Sequence, residues 1–209
     1  MTIDEAWKLV AGLSTPSKMP CYGYSIPAKQ CITGMKLRNV EGSVCSKCYA
    51  MKGNYSFPVI QDCLERRFQS LTNPLWVEAM VTLINGKESS GFFRWHDSGD
   101  LQSVQHLANI CHVATLTPEI KHWLPTREYS IVSEYLDSGE KIPENLVIRL
   151  SALKINGPAP VNLAKRLGVT VSGVKETGFN CPASLQDNKC VRCRLCWDKN
   201  TFQVDYKKH

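Results

Sequence analysis

Cysteines are the side chains best suited to chemistry in this sequence, with ten among 209 residues. Four lie in the first quarter of the chain and four in its last 30 residues. The acidic N-terminus lacks a cleavable apolar segment, so we expect a protein of the reducing cytoplasm. Thiols in that compartment bind metals or react more often than they form disulfides. The cysteines therefore predict metal sites at both ends of the chain.

The cysteines near the C-terminus follow the spacing C-x2-C-x2-C, at Cys190, Cys193 and Cys196, with Cys181 nine positions earlier. Such a run with one more distant cysteine is typical of iron–sulfur cubanes. Zinc also takes four cysteines, more commonly as two separated pairs. We therefore predict an iron–sulfur cluster here, with zinc as the alternative metal.

The cysteines near the N-terminus are less regular. Cys45 and Cys48 form a C-x2-C pair, Cys31 precedes the pair by 14 positions and Cys21 by 24. All four thiols could bind one zinc ion or one cluster. Alternatively, Cys31, Cys45 and Cys48 hold three irons of a cubane and leave the fourth iron open to a ligand. We take these three as the predicted ligands and leave the role of Cys21 open.

The middle of the chain alternates between apolar strands and helical stripes. Cys63 and Cys111 fall on such stripes and are expected in the core. Strands joined by crossover helices lie parallel in an α/β fold. We predict an incomplete (βα) barrel or an open, mostly parallel sheet of about five strands, within a domain spanning residues 1–178. The cysteine loop at 21–56 belongs to that domain, and residues 179–209 form a cysteine-rich extension packed on it. The predicted central strands are Phe92–Trp95, Ile120–Leu124, Leu146–Leu150 and Val169–Ser172.

Polar residues follow the predicted strands where each one ends. Carboxyl ends of parallel strands meet at one edge of a sheet, which is where α/β proteins bind ligands. A pocket at this edge would suit a ligand that carries phosphate or carboxylate. The loop after Trp95 could instead cap the next helix through Asp97 or Ser98. The residues at the predicted strand ends are His96, Asp97, Ser98, Gly99 and Asp100, then Arg127, then Ser151.

The charge balance is mildly basic, with 25 Lys and Arg against 19 Asp and Glu. This balance allows an anionic partner such as a nucleotide or a nucleic acid without requiring one. No apolar run reaches the roughly 18 residues of a membrane span. We expect a small-molecule or nucleotide ligand, leave nucleic acid open, and expect no membrane. The sequence does not indicate an oligomeric state.

A series of motifs runs along the chain from Tyr24 to Trp197. Its segments are Tyr24-Ser-Ile-Pro-Ala28, Cys45-x2-Cys48-Tyr49-Ala50, Lys52-Gly53-Asn54-Tyr55, Phe93-Arg-Trp-His-Asp-Ser-Gly-Asp-Leu101, Trp123-Leu-Pro-Thr-Arg-Glu128 and the cysteine-rich tail. This series resembles the phage gene product 88-type family. The resemblance implies a phage or prophage origin, and hence the host cytoplasm, but it implies no reaction.

A short strand at Ser25–Ala28, then a three-cysteine loop and α/β units, is similar to the radical S-adenosylmethionine enzymes. That similarity implies a [4Fe-4S] cluster on the three cysteines, with S-adenosylmethionine on its open iron. Ser98-Gly99-Asp100 stands where such enzymes hold the methionine of the cofactor, and the tail would carry a second cluster. The chain departs from the usual C-x3-C-x2-C loop, because 13 residues separate Cys31 from Cys45. It also offers about five strands where six are usual.

Three functions follow as hypotheses. The leading one is a radical S-adenosylmethionine-like enzyme acting on a nucleotide, nucleic acid or peptide. In it Asp100 and Arg127 anchor the cofactor, Ser151 joins its site, and His96 with Asp97 handles protons. The second is a non-radical metalloenzyme on the same scaffold. The third is a metal-stapled phage module that binds nucleic acid or a host protein without catalysis.

Overall fold

The computed structural model describes residues 1–208. Its centre is a six-stranded sheet in which every neighbouring pair is parallel and the strands follow one another in chain order. The prediction of an α/β fold is confirmed, and the number of strands is corrected from about five to six. The strands are β1 (Gly23–Tyr24), β2 (Phe92–Trp95), β3 (Lys121–Thr126), β4 (Leu146–Ser151), β5 (Thr170–Lys175) and β6 (Gln203–Lys207).

The strands at the two edges differ most from prediction. β1 lies just before the predicted Ser25–Ala28, and β6 comes from the segment predicted as an extension. β6 follows the last cysteine and pairs with β5 from Gln203 to Lys207. Among the described residues β1 pairs only with β2 and β6 only with β5, so the sheet stays open.

Helices connect the strands and cover one face of the sheet. Apolar side chains of these helices form the main core together with Tyr24, Phe93 and Trp95. Helices on a single face and strands in chain order are the arrangement of a (βα) barrel that has not closed. The helices are α1 (Ile3–Leu9), α2 (Ile32–Leu37), α3 (Pro58–Ser70), α4 (Trp76–Lys87), α5 (Val104–Leu116), α6 (Tyr129–Asp137) and α7 (Val161–Leu167).

Two helix ends show how the sequence directs local structure. Ser103 caps α5 by accepting a hydrogen bond from the backbone N of His106 at 3.1 Å. The cap expected from Asp97 or Ser98 is therefore wrong, because the helix begins later than the pattern suggests. Gly168 ends α7 with φ +66°, a left-handed conformation that glycine adopts without steric cost.

The other face of the sheet is covered by the C-terminal tail, and we call it the tail-covered face. A second apolar cluster forms there around Trp123, Val204, Cys196 and Trp197. A buried arginine, Arg149 of β4, also lies on this face and donates to several carbonyl groups of the tail. No helix among residues 1–208 is long and apolar enough to cross a membrane.

Candidate functional site

Three of the predicted ligands, Cys31, Cys45 and Cys48, lie in the segment that follows β1, and we call them the N-terminal thiol site. Cys31 precedes α2, and Cys45 begins a short 3-10 turn that leads to Cys48. A Cβ atom on Gly34 would lie 3.6 Å from the Cys31 sulfur and 3.7 Å from the Cys45 sulfur. The two sulfurs therefore lie close to each other beside Gly34, where a side chain would clash with the Cβ of Cys31 at 2.8 Å.

The 13 residues between Cys31 and Cys45 fold back over the sheet. Residues 42–44 run antiparallel to residues 153–155, beyond the end of β4. The backbone N of Val44 donates to Leu153 O, and that of Ile155 donates to Gly42 O, both at 2.9 Å. This strap returns the chain to the start of α2, and so it brings Cys45 beside Cys31.

The thiols of this site are half-buried and lie near one another. Burial raises the pKa of Cys31, and Asp100 and the neighbouring cysteines raise it further. Burial also raises the pKa of Cys45, while the Arg127 guanidinium partly opposes that rise. Without a cation Cys31 and Cys45 stay protonated at neutral pH, because an ionised sulfur would lie in a half-buried place beside other negative groups.

Two buried carboxylates align the loops around the thiols. Glu128 accepts hydrogen bonds from the backbone N and the hydroxyl of Thr33, at 2.8 and 2.7 Å, two residues after Cys31. Asp100 accepts from the Thr126 hydroxyl at 2.6 Å and from the Arg127 backbone N at 2.9 Å. Burial raises the pKa of Asp100 to about 6. Both carboxylates are therefore engaged in joining loops at this edge of the sheet.

The predicted cofactor segment at Ser98 and Gly99 packs against the chain after β1. The Ser98 hydroxyl donates to Ile26 O at 3.0 Å, and the Ile26 backbone N donates to Ser98 O at 3.1 Å. Gly99 has φ +83°, and a Cβ there would lie 2.3 Å from the Ile26 side chain. The segment thus joins β2 to the start of the cysteine loop.

Arg127 and Ser151 lie at the ends of β3 and β4 on the same edge. The Arg127 Nε donates to Ala152 O at 3.1 Å, and Arg127 takes part in none of the ion pairs found within residues 1–208. The Ser151 hydroxyl accepts from Ser172 at 3.1 Å. Arg127 therefore brings a positive charge without a carboxylate partner to the side of Cys45.

His96 and Asp97 leave β2 in different directions. The imidazole of His96 is 4% exposed and lies 5.2 Å from the ring of His106 on the helix-covered side. Both of its ring nitrogens lack a hydrogen-bond partner, and burial lowers its pKa well below the usual value. Asp97 faces the thiol loop, where its backbone O accepts from the Tyr49 hydroxyl and its carboxylate accepts from the Tyr55 hydroxyl. The structure therefore packs His96 among the helices and joins Asp97 to two tyrosines that follow Cys48.

The four C-terminal cysteines line one small cavity on the tail-covered face, and we call them the C-terminal thiol site. Burial raises the pKa of Cys196 to about 12, and it also raises those of Cys181 and Cys190. The backbone N of Cys181 donates to Asp205 O, and that of Cys190 to Lys18 O, both at 3.0 Å. The tail and the segment before β1 therefore build this site together.

Cys21, whose site the sequence left open, lies with the C-terminal thiols. It is 7% exposed and packs in the same apolar cluster as Cys196 and Trp197. Cys111 lies in the main core, and the Cys63 sulfur approaches Ala11 O at 3.6 Å. No group of three or more His, Cys, Asp or Glu side chains in the described part of the chain is arranged to hold a metal ion.

Sequence reasoning missed several residues that shape the two sites. Gly34 of α2 carried no signal beyond its place in the predicted cysteine loop. Arg94 and Arg149 did carry a sequence signal, since each is a charged residue inside an apolar strand. Thr33 could not be found from sequence, because its partner Glu128 is 95 positions away.

Comparison with known proteins identifies the family. No curated protein and no solved structure matches this chain. The family model described as gene product 88 matches residues 4–199, which is nearly the whole sequence. The resemblance seen in the sequence motifs is thereby confirmed, and the chain belongs to the gene product 88 family.

Proposed function

We propose that this protein is an iron–sulfur enzyme of the radical S-adenosylmethionine-like kind, with its reactive cluster on Cys31, Cys45 and Cys48. The observation that carries the proposal is the closeness of two thiols, since the Cys31 and Cys45 sulfurs both lie within 3.7 Å of one point beside Gly34. This point lies in the cysteine segment after β1, beside the loops that leave β2 and β3. Ligand sites of parallel α/β proteins lie at such an edge.

Iron–sulfur clusters and zinc require different distances between the sulfur atoms that bind them. A single zinc ion needs all its sulfurs about 2.3 Å from one point. A cubane distributes its thiolate ligands over separate irons, so the sulfurs surround a larger object. Three protein thiolates leave one iron with an open position. When bound, a reduced cluster of this kind supplies the electron that cleaves a sulfonium cofactor such as S-adenosylmethionine.

The residues around the thiols have distinct roles in this proposal. Arg127 offers its unpaired guanidinium to the carboxylate of the cofactor, as a planar donor pair suits that group. Glu128 and Asp100 are positioning residues, since they hold Thr33 and the Arg127 backbone. His96 has no part at the reacting atoms, because its ring lies on the helix-covered side.

A groove beside this site offers a place for the substrate. It encloses about 520 Å³ and is bordered by Ser46 and Lys47, which lie between Cys45 and Cys48. Arg38, Lys47 and Lys208 bring positive charge to its walls, and Glu41 and Glu176 bring negative charge. This mixed lining favours a polar substrate with an anionic group, such as a nucleotide, over a purely apolar one.

The test begins with anaerobic purification and assays of iron, sulfide and visible absorption. We expect iron and sulfide with a broad visible band, and a loss of part of the iron in Cys45→Ser. Cys63→Ser serves as the matched control and should keep all the iron. Cleavage of S-adenosylmethionine under reducing conditions then separates this enzyme from a non-radical metalloenzyme. A colourless protein with stoichiometric zinc would refute the proposal.

A further inference from the structure

Positive charge is concentrated in the cysteine loop at residues 21–56. One acidic residue of this loop, Glu41, stands against five basic residues, and the remaining residues of the chain are nearly balanced, with 20 basic and 18 acidic. All five basic side chains are exposed. Charge gathered on one surface indicates an anionic partner more strongly than the net charge of the whole chain does. The basic residues of the loop are Lys29, Lys36, Arg38, Lys47 and Lys52.

Most of these charges have no ion pair. Lys29 lies 3.3 Å from Glu65. The other four basic side chains of the loop take part in none of the ion pairs found within residues 1–208. Their charges therefore remain available to an anionic partner.

The groove beside Cys45 carries more positive than negative charge, although its walls hold both. Lys208 donates to the Glu176 carboxylate at 2.6 Å. This hydrogen bond lowers the pKa of Glu176, and the charge of Lys47 lowers it further. Two lysines therefore act on one carboxylate. Because Arg38 and Glu41 add opposite charges, the groove keeps an excess of positive charge.

Two exposed aromatic rings follow the groove along the chain. Tyr49 is 47% exposed and Phe57 is 55% exposed. The backbone N of Lys52 donates to Tyr49 O at 3.1 Å, so this lysine lies one 3-10 turn beyond the ring. The Tyr49 ring lies 5.9 Å from that of Tyr55, and the two hydroxyls donate to the backbone O and the carboxylate of Asp97. These bonds hold the Tyr49 ring in place at the surface, where its ordering is achieved before a partner binds.

We propose that the cysteine loop binds single-stranded nucleic acid. Phosphates of the strand contact the basic side chains Arg38, Lys47 and Lys52, and its bases stack on Tyr49 and Phe57. We call these five residues the basic loop surface. Basic side chains combined with exposed aromatic rings are the usual means by which proteins hold single strands. Binding of a strand requires no reaction at the thiols, so it goes beyond the proposed function.

A duplex fits the basic loop surface less well than a single strand does. The bases of a duplex are stacked on one another, so their faces are not free to stack on Tyr49 or Phe57. Proteins read duplex DNA by placing a helix or a β-ribbon in the major groove. The longest helix of the loop, α2, has only six residues. DNA and RNA share the phosphates and base faces that this surface would contact.

The first experiment measures binding of labelled oligonucleotides to the full chain by fluorescence anisotropy. The probes are an oligodeoxythymidine and an oligouridine of about twelve nucleotides, which is within the usual site size, and a DNA duplex of the same length. We expect a Kd of about 1–100 µM for at least one single strand at physiological salt, and binding of the duplex that is about fivefold weaker or less. The two single strands show whether DNA or RNA is preferred. No binding of either strand at about 100 µM protein, or a duplex bound as tightly as the strands, overturns the proposal.

The second experiment tests the charges with the double variant Lys47→Gln, Lys52→Gln. Each phosphate contact with a single strand contributes about 0.7 to the slope of log K against log salt concentration, so we expect this slope to fall by about 1.4. Lys87→Gln, Lys121→Gln is the matched control. Its two lysines are exposed and lie where α4 ends and β3 begins, at the opposite edge of the sheet. The control loses the same charge and should keep the slope, and equal slopes in the two double variants would overturn the proposal.

The third experiment tests stacking with Phe57→Ala. We expect single strands to bind this variant at least about fivefold more weakly, with an unchanged salt slope. Val59→Ala is the control, because Val59 is 71% exposed, apolar and only two positions further along the chain. Circular dichroism checks that both variants are folded. Equal affinity of the two variants for the strand would overturn the assignment of this surface.

Iron content and strand binding fail separately. A purified protein that binds the strand through the basic loop surface but holds no iron–sulfur cluster refutes the proposed function and supports this inference. A protein that holds iron and sulfide but binds neither single strand overturns this inference and leaves the proposed function standing.

Discussion

At the scale of single residues, one glycine and one arginine shape the surroundings of the N-terminal thiols. Gly34 lets the Cys31 and Cys45 sulfurs lie close to its backbone because it has no Cβ. The positive charge of Arg127 acts on Cys45 and opposes the rise of its pKa that burial causes. This charge favours the ionised sulfur, which is the form that binds a metal.

Replacing Gly34 by alanine adds a methyl group beside the two sulfurs. The new Cβ would lie 2.8 Å from the Cβ of Cys31, so Cys31 must move away from its place beside Cys45. We expect the N-terminal site to lose more than half of its iron, while the helix itself tolerates alanine well. Iron assay and circular dichroism check this. Met35→Ala, an exposed change on the same helix, should keep the iron, and equal iron in both variants would contradict the prediction.

Histidines in the core should make the protein sensitive to acid. His106 is buried, both of its ring nitrogens lack partners, and burial lowers its pKa to about 3. In the unfolded chain the pKa of a histidine is about 6.5, so the neutral form of His106 stabilises the folded state fully only above that pH. As the pH falls from 6.5 toward 3, the free energy of unfolding decreases, and at pH 5 the decrease due to this residue is about 2 kcal/mol.

The substitution His106→Phe should remove that loss, because phenylalanine has no charge to gain. We expect the difference in free energy of unfolding between variant and wild type to be about 2 kcal/mol more favourable to the variant at pH 5 than at pH 8. Chemical unfolding at both pH values measures the difference. His112→Gln, on the exposed side of the same helix, should follow the wild type at both pH values. A gain for His106→Phe that is the same at pH 8 and pH 5 would show that His106 does not titrate.

At the scale of elements, the long insertion between Cys31 and Cys45 acts as a folded strap. Its residues 42–44 pair with residues 153–155, and Ser43 at the centre of this pairing is fully buried. The Ser43 hydroxyl donates to Leu37 O at 2.6 Å and accepts from the Ser46 backbone N at 3.0 Å. One hydroxyl thus joins the end of α2 to the turn that carries Cys45.

Replacing Ser43 by alanine leaves the Ser46 backbone N without its acceptor and removes one of the two donors to Leu37 O, which keeps its bond from the Val40 backbone N. We expect a loss of about 1–3 kcal/mol in the free energy of unfolding and weaker retention of iron by the N-terminal site. Urea unfolding and iron release to a chelator measure the two effects. Ser56→Ala is the control, because Ser56 is exposed and donates only to Gly53 O. Equal iron release from the two variants would show that the strap does not affect iron binding.

At the scale of the whole molecule, the tail completes the sheet and fills its second face. β6 extends the parallel order to six strands, and the cysteine loop before it packs on Trp123 and Val204. Arg149 connects these parts by donating to carbonyl groups of residues 195–201. The two chain ends therefore meet on one scaffold, with a thiol site from each.

Replacing Arg149 by methionine should release the tail from the sheet. The Cys196 and Thr201 carbonyl groups would lose their Arg149 donor, while those of Leu195 and Asp198 keep a backbone one, and we expect a loss of about 2–5 kcal/mol in the free energy of unfolding. Limited proteolysis should then cut the chain beyond residue 178 before it cuts the rest. Arg166→Met provides the control for loss of an arginine at the surface. A variant as stable and as resistant to protease as the wild type would refute this role of Arg149.

The sequence by itself determined the parts of this protein that depend on near neighbours in the chain. Alternating apolar strands and helical stripes predicted β2 and most helices within a few residues, because their periods are local. Motif series identified the family, and cysteine spacing grouped Cys190, Cys193 and Cys196. β6 was missed because five residues among charged neighbours form a weak pattern, and the strand exists only through pairing with β5.

Only the tertiary structure decided which distant residues share a site. It placed Cys21 with the C-terminal thiols, the carboxylate of Glu128 on Thr33, and the imidazole of His96 against His106. One turn of backbone after Trp95, with His96 at φ +51°, directs the histidine away from the edge where sequence order predicted it. Side-chain direction and contacts across the sheet depend on packing against the rest of the molecule. Distances along the chain do not encode them.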